Sequence, residues 1–264
     1  MVPVPLELPL PSRDNAYSEK NGEVITPMPV YAETGSIAVE PSRQKIPPLE
    51  NGDQLTRPEF ERRYEAMPHL KKAELIEGVV YMPSPVRHEG HGRQHSLLNT
   101  WLGVYMASTP GLETSDNATI RLDLDNEPQP DLLLRVASEG QSRLAVDGIL
   151  EGAPELVAEI ASSSVAYDLH QKLETYRRHG VREYIVWRAT EEAIDWFALH
   201  DGRYNRLAPD ANGIYKSEIF PGLWLDVAAM LRGDLATVLR TLSAGIASQE
   251  HEVFVTTEEQ KRDA

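Results

Sequence analysis

The stretch PELVAEIASSSVAYDLHQK, residues 154–172, sets a glutamate inside an apolar run and a lysine on the apolar side of the helix that follows. In ELVAEIA, Leu156, Ala158 and Ile160 alternate with Val157, Glu159 and Ala161, so both faces need cover and the Glu159 carboxylate points into a buried layer. Left unpaired, a charge there is strongly destabilising. Lys172 stands three residues after Leu169 and four before Tyr176, on the helix face that packs onto the sheet. Asp131, after a proline at the mouth of the run DLLLRV, and Glu74, in a hairpin strand, are further acids at strand ends. Carboxylates converging there make an oxygen-rich site for a hard cation such as Mg²⁺, and an ammonium beside it can orient water or neutralise developing charge. Phosphodiester hydrolysis suits that arrangement. A purely structural reading of the same residues is a buried Glu159–Lys172 ion pair, with Asp131 capping a turn.

The elements that must position these groups follow from periodicity and punctuation. Thr56 and Glu59 have capping-box spacing before a helix carrying Phe60 and Tyr64. AELIEGVVYM reads as a hairpin turning at Glu77-Gly78. A helix is expected from about His88 to Ala107, then a strand pair, TIRLDLD with DLLLRV. Asp168 and Gln171 have capping-box spacing for a helix over 169–179 that stops at Gly180. VREYIVW, reached through that helix, is expected to lie parallel to ELVAEIA. AIDWFAL, GRYNRLA and GIYKSEIF read as a meander, PGLWLD as a closing segment and 227–242 as one helix.

Composition bounds the rest. Of the 19 prolines, nine fall in the first 48 residues, so residues 1–50 read as a Pro-rich, disordered arm. The domain is expected over 51–248, with a frayed acidic tail at 249–264. A net charge of -15, from 41 acidic and 26 basic residues, argues against broad affinity for phosphate backbones. With no cysteine there is neither a disulfide framework nor a thiol nucleophile. No apolar stretch is long enough to span a membrane, and a cytoplasmic location is expected.

Taken in order, ELIEG (74–78), MPSPVRH (82–88), QPDL (129–132), VAEIASSS (157–164), YDLHQKLETY (167–176) and GVREYIVW (180–187) resemble the putative restriction endonuclease domain family, of the PD-(D/E)XK nuclease-like superfamily. The resemblance spans about residues 55 to 235. It implies an α/β fold, a mixed β-sheet flanked by α-helices in a restriction-endonuclease-like core, with a divalent cation, Mg²⁺ or Mn²⁺, at the site. Carried over residue by residue, it makes Pro130-Asp131 the PD element, Glu159 the acid of the following element, Lys172 the lysine and Glu74 an auxiliary acid. Asp131 and Glu159 become the metal ligands. The sequence departs from the superfamily pattern at Ala161, where the strand lysine would stand; Lys172 must reach back from the helix instead.

Other signals carry less. His88, His91 and His95 share a helix face, but without the glutamate of a zinc-protease motif; His88 is expected near the site mouth as a contact to substrate. Ser162 to Ser164 lack a nucleophile elbow. The pairs Arg62-Arg63 and Lys71-Lys72 read as solvated faces. The sequence therefore points to a Mg²⁺-dependent endonuclease acting on DNA as a homodimer. The alternatives are a catalytically silent interaction protein on the same fold, and a hydrolase of a non-DNA phosphoester.

Overall fold

A computed structural model describes residues 45–82, 91–162 and 164–262. Helix α1 runs Arg57–Glu65. Thr56 occupies its cap position without a side-chain bond, and the Glu59 carboxylate is held by Arg62 and Arg63; the expected capping box does not form. Strands β1 (Glu74–Ile76) and β2 (Val79–Tyr81) pair antiparallel. Both turn residues, Glu77 and Gly78, have positive φ, 54° and 73°, which is the two-residue turn that follows the twist of a hairpin. Helix α2 (Arg93–Ala107) ends where expected, while the start expected at His88 lies outside the described residues.

Strands β3 (Leu112–Asp116), β4 (Ile120–Arg121), β5 (Leu132–Val136), β6 (Arg143–Leu144), β7 (Leu150–Glu151) and β8 (Leu156–Ala161) follow. The helical run 165–179, here α3, leads to β9 (Glu183–Arg188), β10 (Ala193–His200), β11 (Arg203–Arg206), β12 (Ile214–Lys216) and β13 (Trp224–Asp226). Three helices close the chain: α4 (Val227–Arg232), α5 (Leu235–Ile246) and α6 (Gln249–Arg262). The main sheet has the order β11-β10-β9-β8-β5-β3, with β8 and β9 parallel and every other neighbour antiparallel. It is the expected mixed sheet flanked by helices.

The alternation read in β8 separates two layers. Leu156, Ala158 and Ile160 pack with Trp101, Leu102 and Tyr105 of α2 and with the C-terminal helices; Val157 and Ala161 pack with Tyr176 of α3 and Tyr184. Glu159 shares the second face.

Several expectations are corrected. DLLLRV pairs with β3 and β8, whereas only Ile120–Arg121 of TIRLDLD is strand, and it joins β7 in a separate small sheet. The β3 sequence, LETSD, is the sheet's edge and buries only Leu112, so it lacks an apolar pattern. GIYKSEIF leaves the meander to pair with PGLWLD as β12–β13. The helix expected over 227–242 is broken at Gly233 (φ 74°) and restarts with Asp234 accepting from Thr237 N. The stretch after Ser248, expected to fray, forms α6: His251 Nε2 meets Thr109 Oγ1 at 2.9 Å, and Phe254 stacks edge-on against Phe220. Among the described residues no helix is long and apolar enough to cross a membrane.

Candidate functional site

Asp131 and Glu159 meet across adjacent antiparallel strands. Leu132 pairs with Ala158 and Leu133 with Val157, so continuing that register sets Asp131 opposite Glu159. Two bonds confirm the placement: Ile160 N donates to Asp131 Oδ2 at 2.8 Å, and Asp131 N donates more weakly to Glu159 Oε2 at 3.4 Å. The proline before Asp131 carries no N–H, which suits a strand entrance.

Lys172 is delivered by α3. That helix begins at Val165, and residues Asp168–Lys172 form a π turn before regular helix resumes at Leu173–His179. Asp168 and Lys172, four residues apart, share the helix face turned to the sheet, and both are buried. Asp168 is therefore not the N-cap that its spacing suggested; it lies inside the helix and accepts from the Ser164 hydroxyl. Lys172 Nζ lies 2.8 Å from Glu159 Oε1 and 2.8 Å from Glu74 Oε1. Tyr176, one turn on, donates its hydroxyl to Glu159 Oε1 at 3.0 Å.

Glu74 comes from the separate hairpin and also accepts from Gln129 N at 2.8 Å. The structure thus brings Glu74, Asp131, Glu159 and Lys172 together. His88 lies outside the described residues, as does Ser163. Sequence reasoning missed Lys72, whose Nζ is 3.1 Å from Asp131 Oδ1, and Asp168 as a buried neighbour of Lys172. It also missed His91 and His95, which reach Asp131 Oδ1 (3.6 Å) and the Asp131 carbonyl (3.0 Å) with their Nε2 atoms. Their i, i+4 rings stack against each other at this site. Beside the cluster lies Tyr167, its ring tilted against that of Tyr81 at 4.3 Å, with Lys172 over its ring.

Charge is unbalanced here. Glu74, Asp131, Glu159 and Asp168 are all buried, against the ammoniums of Lys72 and Lys172. The imbalance falls on Glu159: burial pushes its pKa up, Lys172 opposes this, and the carboxylates of Asp131 and Glu74 add to the rise, to about 8. Burial likewise raises Asp168. Burial also acts on Asp131, but Lys72, His91 and the Ile160 amide outweigh it and hold this carboxyl below its ordinary value. Lys172 stays charged, because Glu159 and Glu74 overcome its desolvation.

Among the described residues, no three His, Cys, Asp or Glu side chains are gathered as a ready-made metal shell. The donor set still fits a hard, water-retaining cation, which takes one or two carboxylates and keeps several waters. Among the described residues, Glu159 Oε2 has only the long Asp131 amide contact, and the buried excess of carboxylates favours added positive charge.

No curated protein is significantly similar to the chain. A solved structure, described as that of a putative nuclease from Anabaena variabilis, shares 14% identity with a TM-score of 0.45, over 64% of this chain and 97% of that one. The model of the Uma2 family, described as "Putative restriction endonuclease", matches residues 57–228, which include Glu74, Asp131, Glu159 and Lys172. A match over well more than half the sequence settles membership: the chain belongs to the Uma2 family.

Proposed function

We propose that the protein is a divalent-metal-dependent endonuclease that hydrolyses phosphodiester bonds in DNA. The observation that carries this reading is the convergence of Lys172, from the covering helix, on Glu159 and Glu74 at 2.8 Å, beside Asp131 on the next strand. Asp131 and Glu159 would hold Mg²⁺ or Mn²⁺, which supplies Lewis-acid neutralisation of charge at the phosphate. Lys172 sets the charge and orientation of Glu159, and Tyr176 fixes the same oxygen from the other side. Glu74 holds Lys172 in place from the hairpin. Cutting both strands of a duplex takes two such sites, so the reading includes a homodimer, acting in the cytoplasm.

A second reading is a silent interaction protein. It is favoured by the closed pairing of the Lys172 cluster, whose side chains are only 4–5% exposed, and by a net charge of -15. The test is Mg²⁺-dependent cleavage of plasmid and short duplexes at low salt by wild type, Lys172→Ala and Asp131→Asn. The nuclease reading expects wild-type cleavage and losses of roughly 10²–10³-fold in each variant. Equal cleavage by all three marks a contaminant. No cleavage of any DNA or RNA substrate selects the silent protein.

A further inference from the structure

Two lysines divide three of the four buried carboxylates between them. Lys172 takes Glu159 and Glu74, and Lys72 takes Asp131. Lys72 stands two residues before Glu74, so in an extended chain both side chains fall on one side. The two lysines differ in freedom. The Lys172 side chain is 4% exposed, whereas that of Lys72 is 22% exposed and shares its ammonium with Asn117 Oδ1 at 3.1 Å.

Both Asp131 oxygens already have partners among the described residues, and the partner on Oδ1 is the one free to move. Its Oδ2 accepts from the Ile160 amide at 2.8 Å, a bond fixed by the backbone of β8. Its Oδ1 faces Lys72 Nζ at 3.1 Å, with His91 Nε2 at 3.6 Å. An ammonium and a divalent cation would therefore address the same atom. Like charges so close repel, while a divalent ion gains more than an ammonium from the same buried carboxylates.

Resting on the reading of Asp131 and Glu159 as cation ligands, we propose that Lys72 is a built-in placeholder: its ammonium holds Asp131 Oδ1 until a divalent cation takes that oxygen, and binding releases the lysine toward solvent. Before the cation arrives, Lys72 keeps Asp131 ionised and in position. Afterwards its flexible stem leaves a positive charge at the rim of the site, where a phosphodiester approaches. Affinity for the cation is then set by competition with an internal charge as well as by the ligands, which prevents retention when the ion is scarce. A permanent Lys72–Asp131 structural pair is the competing account, and the two differ in what the ion does to the lysine.

The experiment uses the full chain and Mn²⁺ alone. Amine acylation followed by peptide mass spectrometry reports each lysine separately, with Lys71 and Lys172 as internal references. Calorimetric titration compares wild type, Lys72→Met and Lys72→Arg. The proposal expects Mn²⁺ to raise acylation of Lys72 several-fold while leaving Lys71 and Lys172 unchanged. It expects Lys72→Met to bind Mn²⁺ about tenfold more tightly, the order of effect of removing one adjacent like charge, and Lys72→Arg to keep the wild-type affinity. If Lys72→Met fails to fold, the acylation of wild type decides. Mn²⁺ that raises the wild-type Tm yet changes neither Lys72 acylation nor the affinity of Lys72→Met overturns the placeholder and leaves the cation site standing. No binding by any of the three proteins overturns both.

Discussion

Lys172 Nζ lies 2.8 Å from Glu159 Oε1, although the two residues stand in different layers, one in the covering helix and one in the sheet. Removing the ammonium leaves Glu159 and Glu74 buried without it. Lys172→Met is therefore expected to cost about 3–5 kcal/mol at pH 8.5. The loss should shrink at pH 6, where Glu159, already shifted upward, takes up a proton. Urea denaturation at the two pH values measures the difference, and an equal loss at both would show that Glu159 does not carry the imbalance.

Cation binding should follow the ionisation of Glu159. With its pKa raised to about 8, the carboxyl must release a proton before it can serve as a ligand. The apparent Mn²⁺ affinity is expected to rise by about tenfold per pH unit between 6 and 8 and then level off. Glu159→Gln should abolish binding while leaving stability unchanged or higher, since the amide oxygen can still accept from Tyr176. A flat pH profile in calorimetry, or a large stability loss in Glu159→Gln, would return the residue to a structural ion pair.

Glu127, bridged to Leu75 beside the site hairpin, makes a pH-dependent contribution of its own. Burial and the neighbouring Glu61 carboxylate raise its pKa from about 4.5 to about 8, with Arg121, 4.0 Å away, opposing the rise. The folded chain thus holds this proton more tightly than the unfolded one. The associated stability is fully present below about pH 4.5 and is lost as the pH rises through 8. Glu127→Gln should flatten that fall and be more stable than wild type by roughly 1–3 kcal/mol at pH 8.5. Thermal melts from pH 5 to 9 check the slope.

Helix α6 should contribute to stability. His251 is buried against Thr109, and Phe254 meets Phe220. Ending the chain at Ser248, or substituting Phe254→Ala in the full chain, is expected to lower stability, the substitution by about 1–3 kcal/mol. An unchanged Tm in the truncated chain would mean that the helix adds nothing to the core.

How far the site was legible depended on which elements keep a strict period. Glu159 showed itself because β8 alternates between two apolar faces, and Lys172 because Leu169 and Tyr176 mark one helix side. Asp131 stood at a strand entrance after proline, but the register that sets it opposite Glu159 was not legible, because DLLLRV was paired with TIRLDLD instead of with ELVAEIA. Asp168 was hidden by its own spacing to Gln171, which imitates a cap, while the helix starts earlier and a π turn shifts its phase. Lys72 was hidden by Lys71: the two look like one solvated pair, yet alternation turns only one inward. The β3 edge strand was invisible because an edge needs little apolar sequence.

Glu159 and Lys172 are thirteen positions apart within one strand–helix segment, whereas Glu74 arrives from the distant hairpin. Closing the short span costs little chain entropy, and closing the long one costs more. During assembly, the segment that sinks a carboxylate into the protein interior thus carries its own neutralising partner from the outset. The hairpin can dock afterwards, onto a charge already compensated. Pulse-labelled hydrogen exchange should then protect the amides of 156–161 before those of 74–81.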